Sequence, residues 1–198
     1  MQDELIQLLT GRRGHFQLES GYHSEQWFEL DRLFADPAPL RPFVAELAAR
    51  LDRHHIDAVC GPMTGGATLA RMIADELGLA YFFTERVAPP GTDGLFPIKY
   101  LVPTVARGEI AGRNVAIVDD AISAGSAVRG TYADVMTCSG RPIALGALFV
   151  FGETAAGFAR QRGLAFEGIA QLPFAMWLPE ACPLCRAGAA LEKIPVPV

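Results

Sequence analysis

Hydrophobic positions along the chain switch between two periods. Leu5, Ile6, Leu8 and Leu9 recur at roughly helical spacing, which predicts a helix over Asp3 to Arg12 that ends around Gly11 and Gly14. From His15 to Leu33 the pattern changes. Phe16, Leu18 and Ser20, then Gly21, then Trp27, Phe28 and Leu30 predict two short strands around a turn. Asp36 can cap a helix with Pro37 at its first position, running to about His54 with Leu40, Phe43, Val44, Leu47 and Leu51 on one face.

From Asp57 onward the two periods alternate. Asp57 to Cys60 is a short apolar run that stops at Gly61-Pro62, Gly65 to Leu77 is helical, and Leu79 to Thr84 is a strand. Val87 to Ala106 contains four prolines and has no clear period, so a long loop or an irregular hairpin is expected, and loops of that length in a compact domain usually carry function. Val115 to Val118 is a buried strand, Gly125 to Cys138 a helix, Ile143 to Phe151 a buried strand, Thr154 to Arg162 a helix and Leu164 to Leu172 a last strand. Apolar strands alternating with helices imply an α/β fold, a parallel twisted sheet with helices on both faces. Pro173 to Val198 is rich in Pro and Ala and is expected to be a tail or a small cap.

Composition narrows the function. The 198 residues suit one α/β domain, 51% are apolar and 20% charged, so a core is available and disorder is not expected. A formal net charge of −5 argues against a broad nucleic-acid surface. No apolar stretch is long enough for a bilayer, and the N-terminus lacks a basic start followed by an apolar run. A cytoplasmic protein with reduced Cys60, Cys138, Cys182 and Cys185 is expected.

The chemistry concentrates in Val115 to Ala127, VAIVDDAISAGSA. Asp119 and Asp120 follow a buried strand, at the sheet edge where ligands bind in open parallel sheets. The residues after them are mostly small and lead into a helix. Small side chains let backbone N–H groups approach a phosphate, and the helix N-terminus adds partial positive charge. Ser123 and Ser126 add hydroxyls. The two acids can accept hydrogen bonds from vicinal ribose hydroxyls and stabilise positive charge on the sugar. Together these features describe a site for a phosphorylated ribose. No Walker A sequence and no Gly-x-Gly-x-x-Gly occurs.

This segment resembles the phosphoribosyl pyrophosphate (PRPP) motif of type I phosphoribosyltransferases. Gly14-His15-Phe16-x-Leu18-x-Ser20-Gly21-x-His23-Ser24 is similar to the N-terminal segment of the orotate branch, and Cys60-Gly61-Pro62-Met63-Thr64-Gly65-Gly66-Ala67 to its pyrophosphate loop. Thr84-Glu85-Arg86 sits where that branch has a basic pair, and Cys182-Pro183-Leu184-Cys185 with Gly188 and Leu191 looks like the ending of some bacterial members. The resemblance implies one domain over 1–198 with a hood from about 1–35 and 173–198. It implies transfer of ribose 5-phosphate from PRPP to a base, with orotate expected, in pyrimidine biosynthesis.

By that resemblance Asp119 and Asp120 are the catalytic pair that holds the ribose. Ser123, Ala124, Gly125, Ser126 and Ala127 hold the 5-phosphate. Thr64, Gly65, Gly66, Arg86 and Lys99 hold pyrophosphate, and His23, Ser123 and Phe151 contact the base. Mg²⁺ would be bound mainly through the substrate's pyrophosphate and ribose, with no protein metal site. A homodimer is implied, as is a mobile loop within Val87 to Tyr100.

The sequence departs from that pattern in two places. Glu85-Arg86-Val87-Ala88-Pro89-Pro90-Gly91 offers few cations, leaving Arg86 and Lys99, with Arg107 further on. Phe149-Val150-Phe151-Gly152-Glu153 has Phe151 where an Arg would pair with the orotate carboxylate. Two alternatives follow, a PRPP- or nucleotide-binding regulatory protein without transfer and a transferase for another base. Cys182-x-x-Cys185 is half of a zinc site, but zinc needs four ligands and no second pair lies nearby in sequence, so the expectation is a tail turn packed on the core. His15 is expected to be a packed or hydrogen-bonded residue.

Overall fold

The computed structural model describes residues 1–89 and 94–194. In chain order, α1 (Gln2–Ile6), β1 (Gly11–Gln17) and β2 (His23–Phe28) precede α2 (Arg41–Asp52). The alternating part runs β3 (Ala58–Pro62), α3 (Gly65–Leu77), β4 (Ala80–Val87), β5 (Lys99–Leu101), α4 (Arg107–Ile110), β6 (Asn114–Ile122), α5 (Ser126–Thr137), β7 (Arg141–Phe151), α6 (Thr154–Arg162) and β8 (Ala165–Leu172). β9 (Met176–Trp177), α7 (Pro183–Arg186) and β10 (Glu192–Lys193) follow. No helix among the described residues is long and apolar enough to cross a membrane.

A six-stranded sheet has the order β5-β4-β3-β6-β7-β8, parallel throughout except for β5, which pairs antiparallel with β4. The central strands are apolar on both faces because helices cover both. In β6, Ala116 and Val118 face one cluster with Leu47, Leu51, Leu69 and Ile73, while Val115 and Ile117 face the other with Val128, Val135 and Phe158. Each fully buried Leu or Ile contributes roughly 1.5–3 kcal/mol by leaving water. The chain progresses outward from β3 to β4 in one direction and from β6 to β8 in the other. The switch point therefore lies between β3 and β6, and the crevice at their carboxyl ends is where a ligand fits.

The first predicted helix is too long. α1 stops at Ile6, and Arg12 lies in β1, paired with Trp27 of β2. Cross-strand pairing overrides the local helical spacing there. Asp36 does not cap α2: Pro37 precedes a 3₁₀ turn at Ala38–Leu40, α2 starts only at Arg41, and the Asp36 side chain accepts the Ala38 N–H at 3.1 Å from one residue further out. The unpatterned stretch from Val87 is an irregular hairpin between β4 and β5, and the part of it at 90–93 lies outside the described residues.

A second sheet, ordered β10-β1-β2-β9, joins the two ends of the chain. β1 and β2 form an antiparallel pair, with β10 parallel to β1 and β9 antiparallel to β2. The tail is thus not a plain turn packed on the core. It supplies both edge strands of this sheet and brings Cys182 and Cys185 against His15 and His23. The residues that meet the two cysteines come from the N-terminal hairpin.

Candidate functional site

A cavity of about 680 Å³ opens over the switch point. Its floor is the end of β6 and the loop into α5, one side is the segment after β3, and the facing wall is the second sheet. β6 continues through both acids to Ile122, so Asp119 and Asp120 sit on the strand's last turns of pleat rather than in a loop. Asp119 is 9% exposed and accepts the Asp120 N–H at 3.1 Å, while Asp120 accepts the Ala121 N–H at 2.8 Å. Burial, then the neighbouring Asp120 charge, raises the Asp119 pKa well above the usual carboxylate range.

Two glycines make room for the acids. A β-carbon at Gly66 would lie 2.6 Å from Asp119 Oδ1, and one at Gly65 would collide with the Asp120 carboxylate. Glycine is required there for the start of α3 to approach the end of β6. The Met63–Thr64 peptide just before them is cis.

One end of the cavity is made by Ser123, Gly125, Ser126 and Ala127. Gly125, at φ +80°, turns the chain into α5. Arg129 Nε donates to the Ala124 carbonyl at 3.1 Å, and its guanidinium lies 4.3 Å from the centre of the Phe158 ring, which braces the loop from behind. Ser126 Oγ is buried without a partner among the described residues, and so is Ser20 Oγ across the cavity. Buried hydroxyls normally have partners, so two orphans facing one cavity mark where a ligand's oxygens would be received.

Most of the expected residues converge. Asp119, Asp120, Ser123, Gly125, Ser126 and Ala127 line the cavity, as do Thr64, Gly65, Arg86 and Phe151. Four others do not. Ala124 is fully buried beneath the loop, Gly66 acts through the space it leaves, and Lys99 is exposed on the edge strand β5. His23 is buried in the second sheet against His15 and Cys185, away from the place expected for a base. Arg107 is also committed elsewhere, with Nη2 at 3.0 and 2.9 Å from the two Asp134 oxygens.

Three features were not legible in the sequence. Glu19, on the turn after β1, accepts Arg86 Nε at 2.9 Å and the Tyr100 hydroxyl at 2.7 Å. Of the two cations expected at the pyrophosphate side, Arg86 is thus paired with an acid from the turn of the other sheet. Burial and the Glu19 charge push the Tyr100 phenol up, so it remains a donor. Phe151 does not stand free either. It stacks on Phe28, ring centres 4.8 Å apart and planes 7° from parallel, with Phe174 at 5.2 Å. Trp27, Phe28 and Arg32 line the same end of the cavity.

Residues 40–149 match the phosphoribosyl transferase domain family. The chain belongs to the phosphoribosyltransferase family. Orotate phosphoribosyltransferases of Caldanaerobacter subterraneus subsp. tengcongensis and Acidithiobacillus ferrooxidans are similar to this phosphoribosyltransferase. The first is 31% identical, covering 91% of this chain and 88% of the relative, and the second 30%, covering 91% and 87%. Among solved structures, the orotate phosphoribosyltransferase from Aeropyrum pernix superposes with a TM-score of 0.61 at 22% identity, covering 82% of this chain and 88% of the other. The adenine phosphoribosyltransferase from Thermoanaerobacter pseudethanolicus reaches 0.67 at 14% identity, covering 87% and 100%. Those two structures share the fold. Membership makes this chain an enzyme of the pentosyltransferase class.

Proposed function

We propose that this phosphoribosyltransferase moves ribose 5-phosphate from PRPP to orotate, giving orotidine 5'-monophosphate and pyrophosphate for pyrimidine synthesis. The observation that carries the reading is the adjacent acid pair on the end of β6, facing a small-residue loop at the N-terminus of α5 in one cavity. Both curated relatives described above carry the orotate name.

In this reading Asp119 and Asp120 accept the ribose hydroxyls and offset the positive charge that develops on the sugar as pyrophosphate leaves. Ser123, Gly125, Ser126 and Ala127 donate to the 5-phosphate, with Ala124 shaping the loop. Thr64, Gly65 and Arg86 receive pyrophosphate, Gly66 keeps their loop close to Asp119, and Lys99 adds charge from the edge strand. The base enters between the acids and the Trp27, Phe28 and Phe151 end, near Ser123, where Arg32, paired with Glu29 at 3.3 Å, is a guanidinium that can turn to a carboxylate. Two carboxylates facing a site for substrate oxygens are a hard-oxygen donor set that suits Mg²⁺. When bound, Mg²⁺ neutralises charge on the pyrophosphate group; Asp119 and Asp120 would hold it through the ribose and its waters.

Residues from about 1–35 and 173–194 act together as a hood over a single transferase domain, a reading supported by the second sheet, and 195–198 of the expected hood lie outside the described residues. A cytoplasmic homodimer is proposed on the same resemblance. Incubation with PRPP, Mg²⁺ and orotate should release pyrophosphate and consume orotate. Absence of turnover with orotate, uracil and every purine base would sink the transfer reading.

The Arg86–Glu19 pair and the Phe28–Phe151 stack favour a second reading, a protein that binds PRPP or a nucleotide without transfer or accepts another base. It predicts PRPP binding by calorimetry with no orotate turnover, and a panel of bases separates its two forms.

A further inference from the structure

We propose that His15, His23, Cys182 and Cys185 bind a structural zinc ion that ties the tail of the chain to the N-terminal hairpin. The four candidate ligand atoms all lie within 4.8 Å of one another. His15 Nε2 is 3.4 Å from Cys182 Sγ, 3.6 Å from Cys185 Sγ and 3.1 Å from His23 Nδ1, and His23 Nδ1 is 3.3 Å from Cys185 Sγ. Zn–N bonds of about 2.0–2.1 Å and Zn–S bonds of about 2.3 Å give a tetrahedron with N···S edges of roughly 3.6 Å and an N···N edge of roughly 3.4 Å. Those four distances stand close to the corresponding edges.

Hydrogen bonding alone does not account for the arrangement. The Ala189 carbonyl lies 3.0 Å from His15 Nδ1 and can only accept, so Nδ1 carries the proton and Nε2 presents its lone pair to the cluster. One lone pair then faces two sulfurs and a second imidazole, and can accept from one of them. A metal ion satisfies all four groups at once. The Nδ1–H···O=C contact is also the support that fixes a ligating imidazole in its tautomer.

The chemistry selects the ion. Two thiolates and two imidazoles in a closed tetrahedral set favour Zn²⁺, and four protein ligands leave no position for catalysis. Cys182 is fully buried, His15 and His23 nearly so, and only Cys185 reaches the surface. None of the four lines the 680 Å³ cavity. The ligands nevertheless clamp both strands that flank the Leu18–Tyr22 turn, which carries Glu19 and Ser20 into it. β9 and β10 have two residues each, too few to hold the second sheet by strand pairing alone. The ion is the clasp that short pairing lacks.

The full chain, purified under reductant from zinc-supplemented medium, should carry about one zinc per chain by elemental analysis. Replacement by Co²⁺ should give the ligand-field and thiolate charge-transfer bands of a tetrahedral S₂N₂ site. Cys182→Ser/Cys185→Ser should fall to background metal, while Cys138→Ser keeps it. Absence of bound metal in the parent protein, full metal content in the double variant, or a Cys182–Cys185 disulfide under these conditions would overturn the proposal. If the double variant does not fold, chelator titration of the parent protein decides the matter. Zinc release with a change in Trp27 and Trp177 emission supports the site, because Trp177 pairs with His23. A zinc content that resists chelation in unfolded and folded protein alike, or an emission that never changes, refutes it.

Discussion

β6, β7 and β8 are nine, eleven and eight residues long and run in parallel register beneath helices on both faces, whereas β9 and β10 contribute two residues each to the smaller sheet. The larger sheet is held by area. Leu47, Leu51, Leu69, Ile73 and Val118 are almost wholly buried in one continuous cluster. The smaller sheet is held by points, namely the His–Cys cluster, the Arg12–Glu192 pair at 2.6 Å and the Ser24 hydroxyl on the Ala175 carbonyl at 2.9 Å. The cavity lies between a rigid floor and a wall fixed at a few places. In the proposed reading that difference puts phosphate and ribose on the floor and the base against the wall.

Breaking the floor's support should have the largest effect. Leu47→Ala removes a side chain with no exposed surface from the cluster and is expected to cost about 2–5 kcal/mol in urea unfolding. A loss below about 1 kcal/mol would show that this core is less tightly packed than described.

Next come the acids. Asp120→Asn keeps shape and removes charge opposite the developing positive sugar, so kcat/KM should drop by about 10²–10³. Normal turnover would remove the acid pair from the mechanism. Asp119 separates activity from stability. Its carboxyl binds a proton more tightly folded than unfolded, so between the ordinary carboxylate range and its raised folded value the native state holds the extra proton. Stability therefore falls as pH rises through that window. Asp119→Asn should abolish this slope, making the ligand-free protein more stable at neutral pH while activity is lost. Unchanged pH dependence of the melting temperature would contradict the raised value.

A smaller effect tests the wall. Glu19→Gln frees Arg86 from its ion pair, so the KM for PRPP should fall several-fold, on the order of 1 kcal/mol for a charge-assisted contact in a half-buried setting. A KM that rises instead would mean that Glu19 positions Arg86 rather than competing with substrate. The smallest change is expected for Arg32→Ala. Its side chain is 78% exposed, so the KM for orotate should rise a few-fold with kcat unchanged. An unaltered KM would place the orotate carboxylate elsewhere.

β3, α3, β4, β6, α5, β7, α6 and β8 were readable because each buries an apolar face and period and burial are local properties, whereas β5 and α4, with three and four residues, carry too short a pattern to read. α3 and α6 occupy the predicted spans, and the loop into α5 was recognisable because acids, small residues and helix start are contiguous. The resemblance to the family followed from the same contiguous stretches. Roles that depend on partners were not readable. Arg86 was visible as a cation, but its partner Glu19 lies 67 positions away. Phe151 was visible as a ring, but not the Phe28 ring that covers its face.

The sequence by itself determined the parallel sheet, the acid pair at its edge and the small-residue loop after it, because each is written in neighbouring residues whose spacing sets their geometry. Only the tertiary structure decided that His23 belongs to a cysteine cluster rather than to a base, and that Cys182-x-x-Cys185 has a matching pair. His15 and Cys182 are 167 residues apart, and no local period encodes a contact made by two chain ends meeting in one sheet.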